Sequence, residues 1–243
     1  MRRIGFSTGA LAKSDFREGI RLQLSIANAI ELSALREDEL DPLVSALPRL
    51  ELRSFDYVSF HAPSNLSNWS EADLVSRLRT LPNNISTIVV HPNIIQDFQI
   101  WRTLGDRLSI ENMDQRYEVG RTSKELEIYF ENLPEARFCF DIGHARQIDP
   151  TMSIAKQLLR DYEGRLSEIH ISEVDAESHH CMISSITCKA FQRILADVDQ
   201  GIPAIIESVV VPSDITEEFQ MVQFSFCEPS CDKVKPGSSS VPM

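Results

Sequence analysis

The chain lacks the features that mark membrane-spanning, secreted or disulfide-stapled proteins. Its 243 residues include only five cysteines, an odd number, and no two of them form a Cys-x-x-Cys pair. This excludes a zinc ribbon and a thioredoxin motif, and it predicts reduced thiols. No apolar run approaches the roughly 18 residues that a membrane helix needs, and Lys13 and Asp15 interrupt the first segment before a signal-peptide core forms. We therefore expect a cytoplasmic protein without a membrane partner.

Positive charge is also scarce. The 24 Lys and Arg residues are outnumbered by 36 Asp and Glu residues, which gives a formal net charge of −12. This balance disfavours unspecific attraction to nucleic acid, although a local site can oppose the overall sign. The hydrophobic content of 42% and charged content of 25% are typical of a globular domain. The length is close to the roughly 250 residues of a (β/α)8 barrel.

Short β-rich runs alternate with amphipathic stretches along most of the chain. The eight predicted strands are 4–7, 29–33, 57–61, 87–91, 108–112, 137–141, 168–172 and 204–208. Alternating strands and helices indicate parallel pairing with right-handed crossovers. Eight such units favour a closed α/β barrel, a (β/α)8 TIM barrel, over an open doubly wound sheet, the alternative. We predict one barrel domain over residues 1–226, and a flexible tail over 227–243, which is rich in Pro and Ser.

Helix starts are visible between these strands. Ser70 and Thr122 each precede an acidic residue by three positions, Asp73 and Glu125, which is the spacing of a capping box. Pro150 is placed near the start of another helix, where its missing N–H costs little.

Histidines and carboxylates cluster at the predicted strand ends. His61, His91, Glu111, Asp141 and Glu207 end or closely follow strands, His144 follows the sixth strand by three residues, His170 lies in the seventh strand, and His179 and His180 follow it. All strand carboxyl ends of a barrel open onto one face, so these side chains are expected to converge. Imidazole and carboxylate are preferred ligands of divalent metals. A single such histidine is more often a hydrogen-bonded core residue, so the prediction depends on the whole set.

The charge of the expected site bears on how many metal ions it holds. Glu111, Asp141 and Glu207 together carry −3, so one divalent ion leaves −1, two leave +1 and three leave +3. An anionic substrate therefore favours more than one ion. Within Asp141-Ile142-Gly143-His144, Gly143 permits the backbone turn that lets both side chains reach one centre or two adjacent ones.

These motifs resemble those of the xylose isomerase-like barrel superfamily, which contains sugar and sugar-phosphate isomerases and epimerases together with AP endonuclease family 2. The resemblance spans residues 4 to about 211 and is carried by HAP at 61–63, VVHP at 89–92, IEN at 110–112, DIGH at 141–144, IHIS at 169–172 and IIES at 205–208. In the nuclease branch, the resemblance implies up to three zinc ions on His61, His91, Glu111, Asp141, His144, His170, His180 and Glu207. An acidic ligand of that branch is replaced here by Ser178, which puts the third ion in doubt. In the epimerase branch, the matching ligands are Glu111, Asp141, His170 and Glu207, around one metal.

Three functions follow as candidates. The first is metal-dependent isomerisation or epimerisation of a small sugar or sugar phosphate, with Glu111 and Glu207 passing a proton between adjacent carbons and His144 as a further catalytic residue. The second is zinc-dependent phosphodiester cleavage of the AP endonuclease family 2 type, by an activated water. The third is a metal-binding barrel without catalysis. Short loops and negative net charge favour the sugar over nucleic acid as partner, and the cofactor is Zn, Mn or Mg, with one to three ions per chain.

Substrate contacts are expected from segments that follow the third, fifth and sixth strands. Arg116 and Arg146, together with Arg121, are candidates to bind a phosphate or carboxylate bidentately. Trp69 is a candidate for stacking on a ring. Glu31 is either a further acid of the site or the partner of one of these arginines.

The segment Gly5-Phe6-Ser7-Thr8-Gly9 matches a G-x-S-x-G nucleophile elbow. Too few residues precede Gly5 for a complete strand, so we expect Ser7 to lie at the barrel mouth without acting as a nucleophile.

Overall fold

The computed structural model describes residues 2–227, so the predicted tail lies outside the described residues except for Cys227. Eight parallel strands form the central sheet: β1 (Ile4–Phe6), β2 (Ala29–Ser33), β3 (Tyr57–His61), β4 (Thr87–Val90), β5 (Leu108–Glu111), β6 (Arg137–Asp141), β7 (Leu166–Ile171) and β10 (Ala204–Ile206). Two further strands, β8 (Glu173–Val174) and β9 (His180–Cys181), pair antiparallel as a small ribbon. The eight predicted strands are therefore confirmed to within two residues at each end.

The sheet closes into a barrel. Its strand order is β1-β10-β7-β6-β5-β4-β3-β2, and each neighbouring pair is parallel. A single bridge between Ser7 and Glu31 joins the two outer strands β1 and β2. The predicted (β/α)8 barrel is thus confirmed, and the carboxyl ends of all eight strands open onto one face.

Helices follow the strands and cover the outside of the barrel. They are α1 (Thr8–Ala12), α2 (Phe16–Gln23), α3 (Glu37–Ala46), α4 (Glu71–Leu78), α5 (Phe98–Trp101), α6 (Ser123–Asn132), α7 (Ile142–Ile148), α8 (Ser153–Tyr162), α9 (Ser185–Leu195) and α10 (Ile215–Ser225). The side chain of Ser70 accepts a hydrogen bond from the Asp73 N–H, and that of Thr122 accepts one from the Glu125 N–H, so both predicted helix starts are confirmed. Pro150 stands three residues before α8 and outside its first turn. Within residues 2–227, no helix is both long and apolar enough to cross a membrane.

The outward faces of the strands build the main hydrophobic core. Side chains such as Leu32, Phe60, Ile110 and Phe140 are completely buried between sheet and helices. Inside the barrel the apolar floor is small and consists of Ala29, Tyr57 and Ile205. Above it the interior turns polar, which is where the candidate site begins.

Two glycines are required by close backbone approach. A Cβ at Gly5 would lie 1.7 Å from the carbonyl oxygen of Ala29, so only glycine lets β1 approach β2. A Cβ at Gly143 would lie 2.5 Å from the carbonyl oxygen of Ser172. The reason for Gly143 is therefore this contact, and not the turn freedom expected from the sequence, because its φ lies outside the left-handed region.

Candidate metal centre

Glu111, at the end of β5, lies at the centre of the site, and its two carboxylate oxygens face different partners. Oε2 lies 3.2 Å from Nε2 of His61 and 3.1 Å from Nε2 of His91. Oε1 lies 3.2 Å from Nδ1 of His170 and 3.6 Å from Nδ1 of His144. One buried carboxylate thus joins two sets of donors.

The first set consists of four side chains from four strand ends. Donor atoms of Glu111, Asp141, His170 and Glu207 all lie within 4.8 Å of one another. Oδ2 of Asp141 is buried and has no hydrogen-bond partner among the described residues. A buried carboxylate oxygen without a donor is costly unless a cation occupies the space beside it. This donor set therefore fits a divalent metal, as three oxygens and one nitrogen suit Mg²⁺, Mn²⁺ or Zn²⁺.

The second set is the pair of histidines beside Oε2 of Glu111. Nδ1 of His61 lies 2.7 Å from the carbonyl oxygen of Ala62, so this nitrogen carries a hydrogen. Nε2 then faces the Glu111 carboxylate, a position that needs either a second proton or a metal ion. Burial lowers the pKa of His61, but its hydrogen bond to Glu111 and the surrounding carboxylates outweigh it and raise the pKa to about 9. For His91, burial dominates and lowers the pKa.

His144 and His180 form a third group, on the Oε1 side of Glu111. Nδ1 of His144 donates to the carbonyl oxygen of Asn112 at 2.9 Å, and its Nε2 lies 3.3 Å from Nε2 of His180. Burial lowers the pKa of His144, but the nearby carboxylates, Asp141 first, raise it above its ordinary value. Burial lowers the pKa of His180 to about 4, so its ring is neutral near pH 7 and able to bind a cation.

A further acid beside this third group is one that the sequence analysis did not single out. Asp114 is completely buried, and its Oδ2 lies 3.7 Å from Nε2 of His144. Its carboxylate is already paired with Arg116 at 2.5 Å. Ser178, at the position of the missing acidic ligand, exchanges hydrogen bonds with Gln147 instead. The only signal for Asp114 in the sequence is its place three residues after Glu111.

Members of all three donor groups line an open cavity of about 400 Å³ at the barrel mouth. Its lining residues include Ser7, Ser64, Asn65, His61, His91, Glu111, Arg116, Tyr117, His144, Ser178, His179, His180 and Glu207. Among the described residues, Arg116 is the sole Lys or Arg in this lining. Ser7 lies at the mouth as expected, and its hydroxyl bonds that of Ser33.

Trp69 and Arg146, expected from the sequence as substrate contacts, are not among the described residues that line the cavity. Trp69 packs against the core, with the Arg77 guanidinium 4.0 Å from the centre of a ring. Three backbone N–H groups at 67–69 donate to Glu37, which holds this loop on the outside. Arg146 is half-buried. Arg121 pairs with Glu125.

Comparison with solved structures shows which fold this is. No protein-family model and no curated protein sequence matches the chain. Endonuclease IV from Thermus thermophilus superposes with a TM-score of 0.60 at 18% identity, covering 92% of this chain and 98% of that one. A 3-keto-D-glucoside 4-epimerase from E. coli gives 0.55 at 14% identity, covering 93% and 99%. A xylose isomerase-like TIM barrel/4-hydroxyphenylpyruvate dioxygenase fusion protein gives 0.59 at 12% identity, covering 92% of this chain and 42% of that one.

The resemblance to xylose isomerase-like barrels is therefore confirmed for the fold. These identities lie between 12% and 18%, so they carry no reaction across to this chain.

Proposed function

We propose that the protein is a divalent-metal-dependent phosphoesterase that acts on a small phosphorylated substrate. The observation that carries this proposal is the position of Glu111, whose two oxygens face two separate groups of donors. A shared carboxylate of this kind suits two adjacent cations, an arrangement used for phosphoryl chemistry. Isomerisation, which the sequence favours, needs only one cation and leaves the His61–His91 pair without a role.

The residues present define what each side of the site would do. Glu111, Asp141, His170 and Glu207 would hold one cation, and His61 and His91, with Oε2 of Glu111, a second. Divalent cations bound there supply Lewis-acid stabilisation of charge and activate water. His144 and His180 remain beside the cavity with their Nε2 atoms 3.3 Å apart. We propose that one of these rings donates a proton to the oxygen of the leaving group.

Arg116 is proposed to bind the substrate's phosphate. Its guanidinium lines the cavity and is held by Asp114, so it is oriented before substrate arrives. A guanidinium matches two phosphate oxygens at once. The cavity measures about 400 Å³, and Arg116 is the single Lys or Arg in its described lining. Such a site suits a nucleotide-sized or sugar-sized phosphoester better than a DNA duplex.

A second candidate keeps support from one observation. The four-donor set Glu111, Asp141, His170 and Glu207 is complete for a single metal without any other residue. That set is the one expected for metal-dependent sugar isomerisation or epimerisation, with Glu111 and Glu207 as the proton-transferring pair. Solved structures with this fold include an endonuclease and an epimerase, so the fold is compatible with both reactions.

A substrate panel combined with one variant separates the two candidates. Protein loaded with Zn²⁺ or Mn²⁺ is assayed with bis(p-nitrophenyl) phosphate, p-nitrophenyl phosphate and an abasic oligonucleotide, and with ketoses in D₂O for proton exchange. We expect hydrolysis of the small phosphoesters, reduced about 100-fold or more in His91→Gln and Glu111→Gln. Glu127→Gln, on the exposed face of α6, is the matched control and keeps full activity.

The opposite pattern would overturn the proposal. Proton exchange into a ketose without phosphoester cleavage, unchanged in His91→Gln, would establish the isomerase. Full metal occupancy without either reaction would favour the third candidate, a metal-binding barrel without catalysis.

A further inference from the structure

A second cluster of buried acids lies inside the barrel, below the metal centre, and has no role in the proposed reaction. Glu31 of β2 and Glu168 of β7 are both completely buried. Each approaches the same ring nitrogen, Nε2 of His170: Oε2 of Glu31 at 3.1 Å and Oε1 of Glu168 at 3.4 Å. Among the described residues, none of these three atoms has a hydrogen-bond partner. Three unpartnered polar atoms thus converge at one point in the interior.

The remaining oxygens of the two acids are held in place. Oε1 of Glu31 accepts a hydrogen bond from the Ser33 hydroxyl at 3.3 Å, and Oε2 of Glu168 accepts one from the Tyr57 hydroxyl at 3.0 Å. Within residues 2–227, neither acid forms an ion pair with a Lys or Arg, and His170 is their one charged contact. Barrel interiors at this depth are usually filled by branched apolar side chains. Two acids facing one imidazole therefore indicate a function for that imidazole.

His170 spans the boundary between this cluster and the metal centre. Its Nδ1 lies 3.2 Å from Oε1 of Glu111 and 3.3 Å from Oε1 of Glu207. A histidine that binds a metal through Nδ1 carries its proton on Nε2, and a carboxylate that accepts this proton sets the ring's tautomer, orientation and basicity.

We infer that Glu31 is a positioning residue for the metal centre, which accepts the Nε2 proton of His170 and so directs Nδ1 towards the cation. The inference rests on the metal centre of the proposed function, but not on the reaction. Glu31 is assigned this role because it is the nearer acid. Oε1 of Glu168 lies farther from the same nitrogen, at 3.4 Å.

The test measures metal affinity and the histidine tautomer, not turnover. The Kd of the full chain for Zn²⁺ is determined by chelator competition for the wild type and for Glu31→Leu, Glu31→Gln, Glu168→Gln and Glu127→Gln. Glu31→Leu keeps a similar volume but removes the acceptor, and we expect it to weaken Zn²⁺ binding about 10- to 100-fold. Glu31→Gln keeps an acceptor oxygen, and we expect a loss below tenfold. Glu127→Gln should bind as the wild type does, and Glu168→Gln should lose less than Glu31→Leu.

Long-range ¹H–¹⁵N NMR of histidine-labelled protein provides the second readout. In the Zn²⁺-loaded wild type, His170 should carry its proton on Nε2. Two results would overturn the inference: wild-type Zn²⁺ affinity in Glu31→Leu, or a loaded His170 without a proton on Nε2. The second would mean that a cation occupies the interior itself, where Cys139, Glu168 and His170 offer donors within 4.8 Å of one another.

The design also separates this inference from the proposed function. If the protein hydrolyses no phosphoester but Glu31→Leu still weakens Zn²⁺ binding, the inference stands and the function fails. Thermal unfolding of the metal-free variants checks folding. If Glu31→Leu does not fold, the Zn²⁺ affinity of Glu31→Gln and the tautomer of His170 in the Zn²⁺-loaded wild type test the inference instead.

Discussion

At the scale of single residues, three histidines of the site each have Nδ1 in a hydrogen bond, with Nε2 as the second ring nitrogen. His61 and His144 each donate Nδ1–H to a backbone carbonyl, of Ala62 and Asn112. Nδ1 of His180 lies 2.9 Å from the Ser172 hydroxyl. Because each ring is anchored in this way, its Nε2 is held towards the cavity. Backbone and hydroxyl partners near the strand ends thus fix the orientation of these rings, as second partners do for histidines that bind metals.

Asp141 offers the sharpest residue-scale test of the metal centre. Among the described residues its Oδ2 has no hydrogen-bond partner, whereas its Oδ1 accepts the His144 N–H and caps the start of α7. Asp141→Asn keeps an acceptor for that N–H but removes the anionic ligand, so we expect metal affinity to fall by at least about tenfold. Elemental analysis of purified, metal-reconstituted protein measures the metal content that remains, with Glu127→Gln as control. Full occupancy in Asp141→Asn would show that the four-donor set is not the metal site.

At the scale of elements, the loops decide what faces the cavity. The second part of the loop between β3 and α4 is held outwards by Glu37, whose carboxylate accepts N–H bonds from Ser67, Asn68 and Trp69. The loop between β5 and α6 turns inwards and delivers Asp114 and Arg116. The contacts that each loop makes therefore set the direction in which its side chains point.

The Glu37 contact predicts a pH-dependent stability. Desolvation raises the pKa of Glu37, but the N–H groups of Trp69, Ser67 and Asn68 outweigh it and lower the pKa to about 2, below its ordinary value of 4.5. A lowered carboxyl pKa stabilises the fold above pH 4.5, and this contribution is lost as the pH falls from 4.5 towards 2. We expect Glu37→Gln to melt at a lower temperature than the wild type at pH 7, by a few degrees at most. The difference should shrink between pH 5 and pH 2 when followed by circular dichroism.

Glu127→Gln serves as the control for this comparison. A gap between wild type and Glu37→Gln that stays constant from pH 7 to pH 2 would contradict the assigned contact.

At the scale of the whole molecule, one arginine joins distant segments of the chain near the amino-terminal ends of the strands. Arg2 donates to the carbonyl oxygens of Val198, Asp199 and Ile202 and stacks on Phe226, 4.1 Å from the ring centre. Burial lowers its pKa to about 10, so it stays charged at neutral pH. The start of the chain, the loop before β10 and the end of α10 are thereby joined at the end of the barrel opposite the metal centre.

Removing this link should destabilise the protein without changing the site. We expect Arg2→Ala to lower the free energy of unfolding by about 2–3 kcal/mol, since three carbonyls lose a charged donor. Urea unfolding measures the loss, and the exposed Arg160→Ala is the control. Zn²⁺ affinity should be unchanged in Arg2→Ala, because the metal centre lies at the other end of the strands. A loss below about 0.5 kcal/mol would contradict the role of Arg2.

The sequence by itself determined the strands and the residues at their ends. Strand positions follow from short apolar runs between helix-capping signals, which are local patterns, and a barrel places all strand ends on one face. The set His61, His91, Glu111, Asp141, His144, His170, His180 and Glu207 could therefore be placed together without coordinates. Its role as a metal site stays a prediction, as do the domain limits and the substrate contact of Arg116.

Only the tertiary structure decided where loop and interior side chains point. Trp69 lies outside the cavity because Glu37 holds its segment, a contact between residues about 30 positions apart in sequence. Arg146 is also absent from the described residues of the cavity lining. Asp114 looks like an ordinary acid in the sequence, and the sequence leaves two roles open for Glu31. Their roles depend on partners that the closed barrel brings to them: Arg116 and His144 for Asp114, and His170 for Glu31. Local periodicity sets which residues form a strand, but the closure of the sheet sets which charges meet inside it.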